Sequence, residues 1–265
     1  MIFITGDTHG DYRRFNTNNF PEQKELTKSD YIIVCGDFGI WDGSMQENYW
    51  LDWLENKPFT TLFVDGNHSN FDMLDKMPVE QWNGGQVHFV RDSVIHLMRG
   101  QVYEIAGLRF FTMGGATSHD IDDGILEPDD PNLQRKRKQL DRFGARYRIN
   151  HISWWSRELP DDAEYETAKK NLAACSWKVN YIISHCAPSA VLDILGGGMY
   201  RHDQLTQFLE ELRTRCEFEH WFCGHYHENR ILMRKHYILY EQIIQIEPRL
   251  YGEALDRLHS TGLRS

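Results

Sequence analysis

The 265-residue sequence has no run of about 18 apolar residues, so no stretch is long enough for a transmembrane helix. Its first seven residues, Met1 to Asp7, carry no basic segment and already contain an acid, which is not the pattern of a signal peptide. Cysteine is sparse. The five present (Cys35, Cys175, Cys186, Cys216 and Cys223) form no CxxC pair and cannot all pair with one another. An odd set of thiols without a leader is expected of a reducing cytoplasm. Positive charge is also short: 29 Lys and Arg stand against 39 Asp and Glu, a net charge of −10. That balance argues against a nucleic acid as partner, because backbone binding needs clustered cations. A phosphate substrate stays open, since bound metal ions reverse a local field.

What is present points to a folded enzyme-sized chain. Hydrophobic residues make up 41% and charged residues 26%, and the 8 Trp, 12 Tyr and 14 Phe exclude disorder as the main state. The length suits one or two domains of about 150 residues. With no repeat and no low-complexity linker, a single domain over 1–265 with a cap-like insertion near 116–160 is expected.

Apolar runs at 2–5, 31–35, 60–64, 181–184 and 220–223 stop at Gly, Asp or His, as strands buried on both faces do. Between them lie helical patterns. Ser44 with Glu47 reads as a capping box before Tyr49, Trp50, Trp53 and Leu54, and Asp161 with Glu164 as a weaker one. A further stripe runs through Leu205, Phe208, Leu209, Leu212 and Cys216. The close-spaced runs 87–90, 94–97, 102–105 and 108–113 read as antiparallel hairpin strands. Together these indicate an α/β sandwich.

The chemistry lies just past the end of each strand. Asp7 and His9 come after the first, Asp37 after the second, Asn67 and His68 after the third, His185 after the fourth, and His225 and His227 after the fifth. Five of the 13 histidines thus fall past the C-terminal ends of strands, the edge where α/β sheets bind ligands. Imidazole, carboxylate and amide donors without thiolate suit Mn, Fe, Zn, Ni or Co better than an all-oxygen Mg or Ca cage. Seven of them, Asp7, His9, Asp37, Asn67, His185, His225 and His227, exceed the needs of one tetrahedral ion and suffice for two, about 3.5–4 Å apart.

Gly6-Asp7-Thr8-His9-Gly10, Gly36-Asp37, Gly66-Asn67-His68, His185 and Gly224-His225-Tyr226-His227 together resemble the ordered motifs of the calcineurin-like metallophosphoesterases. The Trp154-Trp155 pair is similar to segments of bacterial and phage-type members. The resemblance implies a four-layer αββα sandwich of two mixed sheets flanked by helices, two divalent metal ions, and hydrolysis of phosphate mono- or diesters. Carried onto this sequence, it implies that Asp7, His9 and His227 hold one metal, that Asn67, His185 and His225 hold the other, and that Asp37 bridges both. It further implies that Asn67 and His68 meet the phosphoryl group, and that His68 protonates the leaving oxygen after hydroxide attack. The substrate would be a phosphorylated small molecule, a nucleotide or a phosphoprotein.

Two departures stand out. Ser69 comes after the Gly-Asn-His motif where the family often has an acid, which leaves Asp72 as a candidate partner for His68. The 36–42 segment lacks the Arg that protein serine/threonine phosphatases place there, so that activity ranks second, beside a non-catalytic scaffold with the same fold. Three weaker signals complete the reading. The basic stretch 135–148, with Leu133, Leu140, Phe143 and Tyr147, reads as an amphipathic helix. His119 with Asp120, Asp122 and Asp123 reads as a surface loop, with a cation site as the alternative. Gly196-Gly197-Gly198 reads as a flexible turn.

Overall fold

The computed structural model describes residues 1–39 and 42–246. Ile40 and Trp41 of the second motif, and positions 247 to 265 of the expected domain, lie outside the described residues.

One sheet contains β1 (Ile2–Thr5), β2 (Tyr31–Val34), β3 (Thr60–Phe63), β4 (Glu80–Trp82), β5 (Gly85–Arg91), β6 (Val94–Leu97) and β15 (Ile243–Ile246), ordered β15-β1-β2-β3-β6-β5-β4. The other contains β7 (Gln101–Ile105), β8 (Leu108–Met113), β11 (Tyr181–Ser184), β12 (His220–Cys223), β13 (Arg230–Leu232) and β14 (His236–Ile238), ordered β13-β14-β12-β11-β8-β7. Parallel strands form the middle of each sheet and antiparallel ones its edges.

Side-chain alternation along the strands makes the layers. Ile2, Ile4, Ile33 and Leu62 face the second sheet, where Phe110, Tyr181, Ile183 and Phe222 meet them in one core. Phe3, Ile32, Val34 and Phe63 face outward and pack on Leu51 and Leu54 of α1 (Met45–Glu55). On the far side, Phe111, Met113, Ile182 and Trp221 pack on Tyr165, Ala168 and Leu172 of α4 (Asp162–Ala174) and on Leu205, Phe208 and Leu209 of α6 (Gln204–Arg215). Helix, sheet, sheet, helix is the four-layer sandwich expected.

Three local expectations are corrected. The run from 87 to 113 is not one set of hairpins. β5 pairs with β6, β7 pairs with β8, and the turn between β6 and β7 carries the chain from one sheet to the other. Ser44 caps α1 by accepting from the Glu47 amide, but Glu47 Oε2 accepts from the amides of Asp42 and Gly43, so the box there is only half made. Asp161 and Glu164, the pair with the weaker signal, form the complete box. The basic helix α3 (Leu133–Arg142) ends before Phe143, Tyr147 and Arg148 and buries none of its residues. It connects two short strands, β9 (Ile125–Leu126) and β10 (Arg148–Ile149), which pair in parallel. Trp155 is buried in the core beside α1, as core packing requires.

Candidate metal centre

The strand-end residues converge, and the local backbone shows why the motifs are glycine-rich. A Cβ on Gly36, whose φ is +99°, would sit 2.1 Å from His185 Nδ1. One on Gly224 would sit 1.9 Å from Asp7 Oδ1. Only hydrogen fits where these donors cross the neighbouring turns. His9, Asp37, His225 and His227 take positive φ values of 46°, 44°, 70° and 50°. Each such non-glycine residue costs about 1–3 kcal/mol and persists where the surroundings over-determine it.

Two groups of donors result. Asp7, His9 and His227 form one, and Asp37, His185 and His225 the other; within each, ligand atoms lie within 4.8 Å of one another. In the first, Asp7 Oδ2 is 3.6 Å from His9 Nε2 and 3.3 Å from His227 Nε2, and the two imidazole nitrogens are 2.9 Å apart. In the second, His185 Nε2 is 3.3 Å from Asp37 Oδ2 and 3.2 Å from Asn67 Oδ1. Such crowding of nitrogen and oxygen donors fits a cation between them. His185, Asp7, Asp37 and Asn67 are held from behind. His185 Nδ1 donates to the Cys35 carbonyl at 2.8 Å, which leaves the Nε2 lone pair free for a metal. The His225 amide donates to both oxygens of Asp7, and the His68 amide to Asp37 Oδ1. Asn67 Nδ2 faces Ser118 Oγ, which donates to Glu158, so the amide oxygen is turned to the centre.

Without a metal, the charges of the site are set by its own acids and imidazoles. Burial opposes ionisation of Asp7, but the His185 charge and hydrogen bonds from His227, His9 and His225 hold its pKa below the usual carboxylate value. Burial likewise opposes Asp37, and His185 pulls it to about 2. The two carboxylates outweigh burial at His185 and raise it to about 9. Burial, together with His185 and His119, pushes His225 well below its ordinary value.

The family model described as calcineurin-like phosphoesterase matches residues 1–229. The chain belongs to the calcineurin-like phosphoesterase family. The chain is also similar to lariat debranching enzyme A of Xenopus laevis, at 27% identity over 143 residues, 48% of this chain. The match spans 26% of that protein's length, so the chain corresponds to about a quarter of it. Both candidate donor groups lie inside the residues that the family model matches. Among the described residues no helix is long and apolar enough to cross a membrane.

The structure also places residues that sequence reasoning missed. His119 Nε2 lies 2.7 Å from His225 Nε2, against the second donor group. Its acidic neighbours do not form a cation cluster with it: Asp120 pairs with Arg148 and Asp122 with Arg146. Asp72 is not the partner of His68, because it is engaged by His151 at 2.9 Å. His68 Nδ1 instead faces Arg148 Nη1 at 3.3 Å. Burial and the Arg148 charge hold the His68 pKa below its ordinary value, against the pull of Asp37. Behind Asn67, Asp65 meets Arg99 at 2.6 Å and His96 at 3.3 Å, and Arg99 donates to the carbonyl of Arg157. That buried set ties the 116–160 segment to the end of β3. No signal in a single sequence links such distant positions.

Proposed function

We propose that this phosphoesterase is dinuclear and hydrolyses phosphate mono- or diesters without a covalent phosphoenzyme. The observation that supports two ions is the position of Asp37. Its Oδ2 is 3.3 Å from His185 Nε2 in one group and 4.0 Å from His9 Nε2 in the other, so one carboxylate lies within reach of both. Asp7, His9 and His227 would hold one ion, Asn67, His185 and His225 the other, and Asp37 both. The mixed imidazole, carboxylate and amide set fits Mn, Fe, Zn or Ni. When bound, such ions acidify water toward a pKa of about 7 and neutralise phosphoryl oxygens.

The chain's own groups do the rest. Asp7 and Asp37, kept ionised, offset repulsion between two cations. The Cys35 carbonyl and the Asp7 carboxylate fix the His185 ring and the His225 backbone, so the donors are set before substrate arrives. Asn67 and His68 sit on one turn after β3 and would meet the phosphoryl group together. His68 would carry the proton that the leaving oxygen takes.

Hydrolysis of para-nitrophenyl phosphate and its bis ester, with added Mn²⁺ and with chelator, tests the activity. Turnover with Mn²⁺, lost with chelator, at a metal content close to two per chain is expected. Full turnover at one metal per chain overturns the dinuclear reading. Two bound metals without turnover on any ester of a wider phosphorylated panel, nucleotides and phosphopeptides included, favour a scaffold.

A further inference from the structure

Arg14, on the helical turn Tyr12–Phe15, spends its guanidinium on oxygens from two distant parts of the chain. Nη1 donates to the Thr5 hydroxyl at 2.9 Å, to the Gly6 carbonyl at 3.3 Å and to the Tyr240 carbonyl at 2.5 Å. Nη2 donates to the Asp7 carbonyl at 2.5 Å. One rigid, planar head thus joins the turn that bears Asp7 to the segment between β14 and β15. The two backbones also touch. A Cβ on Gly6 would sit 2.0 Å from the Leu239 carbonyl oxygen and 2.7 Å from Tyr240 Cα, so only glycine lets them cross. From the other direction, Asn229 Oδ1 accepts from the Tyr240 amide at 2.9 Å and from the Gln242 amide at 3.3 Å. The carbonyl of Tyr240 is therefore held by Arg14 and its amide by Asn229.

This scaffold presents a ring to the metal centre. The Tyr240 and His227 rings stack, with centroids 4.5 Å apart and planes 18° from parallel. His227 has need of a wall. Its side chain is 49% exposed, against 28% for His9 in the same group. An imidazole so open must give up rotamer freedom when it binds an ion, and a flat neighbour that restricts it beforehand lowers that cost. The stack covers a face of the ring and leaves its edge free, where Nε2 lies 3.3 Å from Asp7 Oδ2.

We propose that Tyr240, fixed by Arg14 and Asn229, is a positioning residue that holds the His227 imidazole ready for the outer ion, the one assigned to Asp7, His9 and His227. The chain's return between β14 and β15 then decides how firmly that ion is kept. The inference rests on the reading of those three residues as half of a two-metal centre. Tyr240 itself coordinates nothing, and its hydroxyl has no part in the stack.

The test titrates chelator into Mn²⁺-loaded wild type, Tyr240→Phe, Tyr240→Leu and Arg14→Met, with bound metal read by elemental analysis. The step that His227→Ala removes identifies the outer ion. Proton spectra of the His227 ring are recorded on the metal-free proteins. Tyr240→Leu should bind the outer ion about 10-fold more weakly, the scale on which a site weakens when a residue behind its ligand is lost, and the inner ion as wild type does. Tyr240→Phe, which keeps the ring, should match wild type. Arg14→Met, which keeps the ring but frees its backbone, should fall between. The ring current of residue 240 should move the His227 ring protons upfield in wild type and Tyr240→Phe, and not in Tyr240→Leu. Wild-type affinity for both ions in Tyr240→Leu overturns the inference. Equal weakening of both ions also does, since it makes Tyr240 a general support of the fold. If wild type binds only one ion, the two-metal reading fails by itself. The inference then survives only if Tyr240→Leu weakens that ion and Tyr240→Phe does not. Should Tyr240→Leu or Arg14→Met fail to fold, Asn229→Ala, which frees the Tyr240 amide, makes the same comparison against Tyr240→Phe.

Discussion

The two donor groups share residue types and differ in depth. In one, Asp7 is fully buried, but the side chains of His9 and His227 are 28% and 49% exposed, and the His227 ring lies stacked on Tyr240. In the other, the side chains of Asp37 and His185 are 2% and 0% exposed. The same chemistry is thus written once at the surface and once inside the sandwich. The difference teaches that the inner group is part of the folded core, whereas the outer group is a rim that solvent and substrate reach.

The change that breaks this comparison most completely is Asp37→Ala, because Asp37 belongs to both depths. Both groups should lose their metal by elemental analysis, and turnover should fall to the level of chelated enzyme. The loss of a Lewis-acid contribution of several kcal/mol corresponds to about 10³-fold or more. A variant with both metals and normal turnover would remove Asp37 from the centre. Next in size is His68→Ala, which keeps the one hydrogen bond His68 gives a donor, that of its backbone amide to Asp37. It should lose about 10²–10³-fold in turnover on esters with poor leaving groups while retaining the wild-type metal content. A large loss of metal in that variant would make His68 a ligand and not an acid.

How much of this was legible in the sequence obeys the same division. The inner group was readable because each donor sits one or two residues beyond a short apolar run, and strand, turn and ligand are all local signals. Asp37, His185 and His225 required no knowledge of neighbours. The 116–160 segment was not readable in that way. Arg148 meets His68 across 80 positions, and a basic stretch with spaced apolar residues looks amphipathic whether or not anything packs on it. In α3 none of the residues is buried. Similarly, β6 and β7 are separated by a turn short enough for a hairpin. Their pairing is decided by which sheet offers Tyr103 and Ile105 a core, and that information lies in β5, β8 and the strands beyond. Half of the capping box at Ser44 failed for a related reason, since Glu47 found closer amides at Asp42 and Gly43.

The depth difference itself is sharpened by making one substitution in both groups of the metal-free protein. His185→Ala leaves Asp7 and Asp37 buried without their imidazolium, and breaking a buried pair in this way costs about 3–5 kcal/mol. His227→Ala removes a half-exposed ring and should cost no more than about 1 kcal/mol. Urea unfolding at neutral pH measures both. Added Mn²⁺ should then raise the Tm of His227→Ala through the inner group alone, and the outer metal should be the first stripped when chelator is titrated into wild type. Equal costs for the two substitutions would erase the distinction between core and rim.

The smallest expected effect uses histidines that are as deep as His185 but lack its carboxylates. His88 and His236 are each about 4 in the folded chain, with burial as the main cause, aided by His96 at His88 and by Arg213 at His236. A folded value below the unfolded 6.5 means that the neutral ring is what folding favours. Their contribution is therefore complete above pH 6.5 and is lost as pH falls toward 4. His185 is pushed the opposite way by its two acids, so equal burial gives opposite charge states. His236 tests this cleanly, since neither ring nitrogen has a hydrogen-bond partner among the described residues and the ring lies against Trp221 and Phe218. His236→Leu should leave stability at pH 7 nearly unchanged, because no hydrogen bond is removed and apolar contact is kept. Between pH 7 and pH 4.5 its fall in Tm should be smaller than that of wild type by about 2–4 °C, the shift that ~1 kcal/mol produces in a domain of this size. Parallel Tm curves for the two proteins would mean that His236 takes up no proton on unfolding, and that burial alone does not set the charge of a histidine in this sandwich.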